Sequence, residues 1–106
     1  MTLALPDRAP IATGAAGARA RRAHRRFLDG RALASREQWP PAAKAYEDAA
    51  GLVDDAAYAL AAAHAAIKAG QAARAVPRLE QLRARRPDLT LAYTLESHAW
   101  LELGRH

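Results

Sequence analysis

Sequence shifted against itself by 33 or 34 residues lands small on small and large on large. A shift of 33 places Gly30 on Ala63, Ala42 on Ala75, Ala43 on Val76, Tyr46 on Leu79 and Phe27 on Leu60. A shift of 34 places His64 on His98, Ala65 on Ala99, Ile67 on Leu101 and Gly70 on Gly104. A period of this length is the mark of a helical hairpin repeated along the chain, each copy too small to bury its apolar face alone. It constrains the fold more than any single motif.

The segment inside each period reads as two helices. Phe27, Gly30, Leu33 and Ala34 mark the first helix of a first unit that begins near Arg22, and its turn falls in "REQWPP". Pro40 and Pro41 suit the opening turn of the next helix, where a missing N–H costs nothing. Trp39 before them is placed to staple back onto that helix. Ala42, Ala45, Tyr46 and Ala49 give it a face with three- and four-residue spacing. Asp54 or Asp55 caps the helix of the second unit, whose face carries Tyr58, Ala59, Ala62, Ala63, Ala66 and Ile67. Gly70 is the left-handed residue that closes it. Ala72, Ala75, Val76, Leu79 and Leu82 follow, and Pro87 ends the unit after Arg85 and Arg86. Pro77 interrupts that helix and should bend it, at a cost of up to about 3 kcal/mol. Asp88 is the expected cap of a third unit, carrying Leu91, Tyr93, Leu95, Ala99, Trp100 and Leu103, with Gly104 at the position of Gly70. A second helix for this unit is not in the sequence.

An all-α core follows from composition as well. Hydrophobic residues make up 51% of the chain but aromatics only 6%, so the core must be built from closely packed, alanine-faced helices. No period-two alternation of β-branched residues occurs, and no sheet is expected. With no cysteine, disulfides, thiolate metal sites and cysteine nucleophiles are excluded. Charged residues interrupt every apolar run before membrane-spanning length.

The units described above resemble the tetratricopeptide repeat family. Ala63, Gly70, Ala75 and Pro87 stand where that family has a small residue, a turn glycine, an alanine and a closing proline. Tyr93, Ser97, Trp100 and Gly104 match in the third unit. The first fits through Gly30, Ala42, Tyr46 and Ala49, with Glu37 in the place of the turn glycine and Asp54 in that of the final proline. Leu82, where a small residue is usual, and Pro77 depart from the pattern. The resemblance implies a right-handed stack of antiparallel hairpins over residues 22–106, in units 22–55, 56–89 and an incomplete 90–106. It also implies a concave groove formed by the first helices of successive units. That groove would present His24, Phe27 and Arg31, then Leu60, His64, Ile67 and Lys68, then Leu91, Thr94, His98, Leu101 and Glu102. His64 and His98 would stack roughly 10 Å apart. The Asn and Lys clamp with which some members hold chaperone tails has no counterpart, since Phe27, Arg31 and His64 occupy comparable places.

Charge is concentrated ahead of the repeats. Residues 1–36 hold eight Arg against two Asp, so 8 − 2 = +6; residues 37–106 hold eight Lys and Arg against nine acids, so −1. Residues 1–21 read as a basic, flexible N-terminal arm. Arg19, Arg21, Arg22, Arg25 and Arg26 form its electrostatic face, either as a solvated helix start or as a contact for nucleic acid, an anionic membrane surface or an acidic partner. No aromatic is interleaved before Phe27, so stacking on single-stranded bases is poorly served. The charge follows the short apolar stretch and prolines break that stretch, unlike a secretory signal. An Arg-rich, acid-poor start is also the pattern of a transit peptide, but Ala and Arg are heavy throughout, as in GC-rich bacterial genomes. A cytoplasmic protein is expected.

No nucleophile elbow, phosphate loop or metal-ligand spacing is present, so no catalytic, cofactor or metal site is expected. The leading expectation is a protein-interaction scaffold holding a peptide or helix in the groove. Alternatives are a polyanion binder acting through the arm, or a docking segment of a larger enzyme. Tyr46, Tyr58, Tyr93 and Trp100 are core residues by default. Tyr93, Trp100 and Leu103, though, belong to a helix with apolar residues on two sides, and the uncovered side is expected to be covered by another copy of the chain, by a partner or by residues beyond this sequence, self-association being the version testable here.

Overall fold

The computed structural model describes residues 14–104. They form five helices: α1 (Gly14–Ser35), α2 (Trp39–Leu52), α3 (Ala56–Lys68), α4 (Ala72–Arg85) and α5 (Thr90–Leu103). Each helix packs antiparallel on the next, and α3 also touches α5. The protein is therefore all-α, with helices packed in sequence as adjacent pairs.

The repeat is visible in the hydrogen bonds of the turns. After α1, Gln38 N–H donates to Leu33 O at 3.0 Å and Glu37 N–H to Ala34 O at 2.9 Å. After α3, Gln71 N–H donates to Ala66 O at 2.8 Å and Gly70 N–H to Ile67 O at 3.1 Å. Both are Schellman closures, 33 residues apart, with a left-handed residue at the same position. Gly70 meets that demand with φ 79°, and Glu37 meets it with φ 58°. The closures at the second helices match too: Val53 N–H donates to Ala49 O, and Arg86 N–H to Leu82 O.

Alanine and glycine set the helix spacing. Ala42, Ala45, Ala49, Ala65, Ala92 and Ala99 are fully buried, and Leu79 and Leu82 are the largest side chains sealed from water. Burying each of those leucines contributes about 1.5–3 kcal/mol. A Cβ on Gly30 would lie 2.6 Å from the Tyr46 ring, so only glycine lets α2 seat there. One unit on, Ala63 and Leu79 share a core cluster with Ala59, Ala75 and Leu82. Phe27 lies between Tyr46 and Tyr58, with ring centroids 5.4 Å and 5.0 Å away, and so links α1 to α2 and α3.

Four expectations about the elements are corrected. Helix begins at Gly14, so residues 14–21 of the expected flexible arm are helical; alanine and arginine are both strong helix formers. Residues 1–13 lie outside the described part. Asp55 does cap α3, accepting from Ala57 N–H at 2.8 Å, but Asp88 does not cap α5. Spacing between the second and third units is 34, so Leu89 occupies the cap position, and Arg86 holds the Asp88 carboxylate at 3.3 Å. Trp39 lies inside the first turn of α2, not before it; it packs against the Ala42–Ala65 cluster and its ring meets His64 of α3. Gly104 keeps a right-handed φ of −73°, so no third left-handed closure forms there. Among the described residues no helix is long and apolar enough to cross a membrane.

Candidate binding groove

The α3–α4 turn and the longer α4–α5 connection bring α3 and α5 side by side. Spacing of 34 then puts equivalent residues of the two helices on the same side. Between them lies a groove of about 570 Å³, lined by Ile67, Leu91, Leu95 and Leu101 with His64, Lys68, Thr94, His98 and Glu102. Leu91 and Leu101 are 50% and 59% exposed, so apolar surface faces solvent here with polar groups around it. Eight of the twelve residues expected for the groove meet in this cleft: His64, Ile67, Lys68, Leu91, Thr94, His98, Leu101 and Glu102.

The other four do not. Phe27 is half-buried between two tyrosines, because ring packing offers it more contact than an open surface. Leu60 is partly buried against the Ala59–Leu82 cluster. Arg31 is exposed on α1 and borders no part of the cleft. His24 lies instead beside Arg21, Arg25 and Leu28 on the outer side of α1. The cleft is thus a feature of α3 and α5 and stops short of α1.

Its wall near α2 is held by a contact that the sequence did not reveal. The Trp39 ring meets His64 edge-on at 5.6 Å, and Lys68 Nζ sits 5.8 Å from the Trp39 centroid. Desolvation against these neighbours lowers the His64 pKa, and the charges of Lys68 and His98 push it the same way. At neutral pH the imidazole is therefore uncharged, and Lys68 is the cation of the rim. Among the described residues no cluster of three His, Asp or Glu is placed to hold a metal.

The far side of α5 is anchored differently. Glu96 is nearly buried and lies 2.9 Å from Arg83 Nε, although that N–H is not aligned for a hydrogen bond; Nη2 donates to the other carboxylate oxygen at 3.5 Å. Arg83 also lies over the Tyr93 ring at 5.2 Å. Neither Arg83 nor Glu96 stood out in the sequence, since each looks like an ordinary helix surface charge. Their separation of 13 residues across a turn becomes legible only once α4 and α5 are paired. Tyr93 and Trp100 are 41% and 53% exposed, against the expectation that they are core. Leu103, expected beside them, packs on Ala72, Val76 and Ala99, because the helix turns it toward α4.

No family model, no curated protein and no solved structure matches this chain.

Proposed function

We propose that the protein is an interaction scaffold of tetratricopeptide-like hairpins, holding a peptide or helix in the groove between α3 and α5. The carrying observation is the convergence of Leu91 and Leu101, both exposed, with Ile67 beneath and His64, Lys68 and His98 at the rim. The 33- and 34-residue registers and the two matching Schellman turns support the stacked-hairpin part of the reading. An apolar floor with few polar groups is what peptide grooves use: side chains enter for affinity, and rim groups fix orientation. Lys68 and Glu102 give the rim one charge of each sign, so the apolar floor, not net charge, selects the ligand.

Panning a random peptide display library against the intact chain tests this. Selected peptides should carry spaced apolar residues and lose at least about tenfold in affinity against Leu101→Glu, a change of about 1.4 kcal/mol or more. Leu101 is mostly exposed, so that variant keeps its fold. Failure to select any peptide, or equal binding by the variant, removes the groove reading.

A second reading is supported by a separate feature, the exposed Tyr93 and Trp100 on the other side of α5. Two copies of the chain meeting there would cover both rings.

A further inference from the structure

The basic stretch of α1 belongs to neither the groove nor the core. We propose that the N-terminal half of α1 docks on the phosphate backbone of a nucleic-acid duplex.

The first observation is where α1 has no helix beside it. Arg26 pairs with Asp48 at 2.8 Å and Gly30 meets Tyr46, so the antiparallel register brings Leu52, the last residue of α2, opposite Ala23. Residues 14–22 therefore project beyond α2 by about 13 Å, at 1.5 Å of rise per residue. Along this stretch Gly17 is buried, while Arg19, Arg21 and Arg22 are turned to solvent.

The second observation is the charge on that stretch. Residues 14–36 hold seven Arg against Asp29 alone, so 7 − 1 = +6. Arg26 is spent on Asp29 and Asp48. Arg19, Arg21, Arg22 and Arg25 are exposed, and none has a carboxylate partner among the described residues. Self-repulsion among four uncompensated guanidinium groups is a standing cost that an anionic ligand would relieve. Guanidinium also matches phosphate in geometry, with two parallel N–H donors.

The third observation selects the kind of anion. At 3.6 residues per turn, the four arginines run from Arg21 through Arg25 and Arg22 to Arg19 over a sector roughly 160° wide. An acidic peptide lying along one side of the helix would reach only part of that sector. A bilayer would want a broad apolar face, and Leu28 is the one large apolar side chain exposed on α1. A duplex groove about 12 Å wide admits a helix between two walls of phosphate and meets cations on both flanks. Residues 14–35 hold no Asn, Gln or Glu to read base edges beside the arginines, and the proposal is confined to the phosphate backbone.

The test uses the full chain and a fluorescein-labelled DNA duplex of about 20 base pairs of random sequence. Anisotropy titrations run between about 50 and 200 mM NaCl. Four phosphate contacts predict a log–log salt slope of about −3.6, and so a loss of affinity of about a hundredfold over that range. The Arg21→Gln/Arg25→Gln variant should flatten the slope by about 1.8. Arg22→Gln should flatten it by about half as much. Arg74→Gln, removing a cation on α4 that is paired with Glu47, should leave the slope unchanged. A slope shallower than about −1 overturns the proposal, since it counts barely one phosphate. Equal slopes for the α1 variants and the wild type overturn it as well. So does tighter binding to polyglutamate or to phosphatidylserine vesicles than to the duplex, which would assign the face to an acidic protein or a membrane.

Discussion

Gly30 is the residue on which the first hairpin depends. A methyl group there would meet Cδ1 and Cε1 of Tyr46, each 2.6 Å away, and Tyr46 is itself 6% exposed and held by the Phe27 ring. Gly30→Ala gains about 1 kcal/mol of helix propensity. Overpacking of about 1–3 kcal/mol opposes it, and the ring has nowhere to retreat. A net loss of up to about 2 kcal/mol is expected in urea unfolding, and a rise in the midpoint would show that α2 shifts freely. At the turn the opposite sign holds. Glu37 sits at φ 58°, where a side chain costs about 1–2 kcal/mol and glycine costs less. Glu37→Gly should therefore stabilise the fold by about 0.5–1 kcal/mol after the extra entropy of unfolded glycine is subtracted, seen as a raised thermal midpoint. His64 gives a pH signature. Its pKa is lower folded than its ordinary 6.5, so the unfolded chain binds more protons in the window just below that value. Stability from this group is complete above about pH 6.5 and falls as pH drops toward the depressed pKa. His64→Gln should flatten the stability–pH curve in that window; an unchanged curve would assign the slope to other histidines.

At the scale of the helix, Pro77 is the least expected feature. It lies inside α4 and its ring is exposed, so the Ala73 carbonyl that loses its partner faces water. Solvation of that carbonyl lowers the cost but does not abolish the clash with the preceding turn. Pro77→Ala should stabilise by about 1–3 kcal/mol and raise the far-UV helix signal slightly. Destabilisation instead would mean that the bend is needed to seat Val76 and Leu79. The five helices were legible in the sequence because alanine-rich faces repeat and Gly70, Pro87 and Asp55 mark ends by known backbone chemistry. Glu37 shows where such marks fail: the Schellman hydrogen bonds of the turn, matched one repeat on, impose a left-handed residue whichever side chain stands there. Asp88 shows the converse. A good capping residue one position out of register was taken by Arg86, and α5 begins with no side-chain cap at all.

For the whole molecule, the side of the cleft formed by α3 and α5 was readable because a 34-residue register carries residue types as well as spacing. Its limit toward α1 was not, since it depends on Phe27 finding Tyr58 and on Trp39 crossing to His64. The same register exposes what remains uncovered. Gly30 receives Tyr46, and Ala63 shares a core cluster with Leu79; Ser97 stands at the third equivalent position, with Tyr93 and Trp100 on either side. Among the described residues no second helix covers it, and Trp100 is 53% exposed while Tyr93 is held only by Arg83 and the Pro87 carbonyl. Two α5 helices meeting antiparallel would lay each Trp100 near the other copy's Tyr93, with Ser97 small enough to allow close approach. Such an isologous contact is self-complementary. The helices alone bury less than a stable interface needs, which is on the order of 1,200 Å², so weak dimerisation is expected. Sedimentation velocity at rising micromolar concentration should show a monomer–dimer equilibrium, and tryptophan emission should shift to the blue as dimer forms. Trp100→Glu should remain monomeric throughout, with unchanged helicity. Trp39, packed against His64 in the monomer, should contribute no concentration dependence. A strictly monomeric wild-type chain would leave Tyr93 and Trp100 for a different occupant.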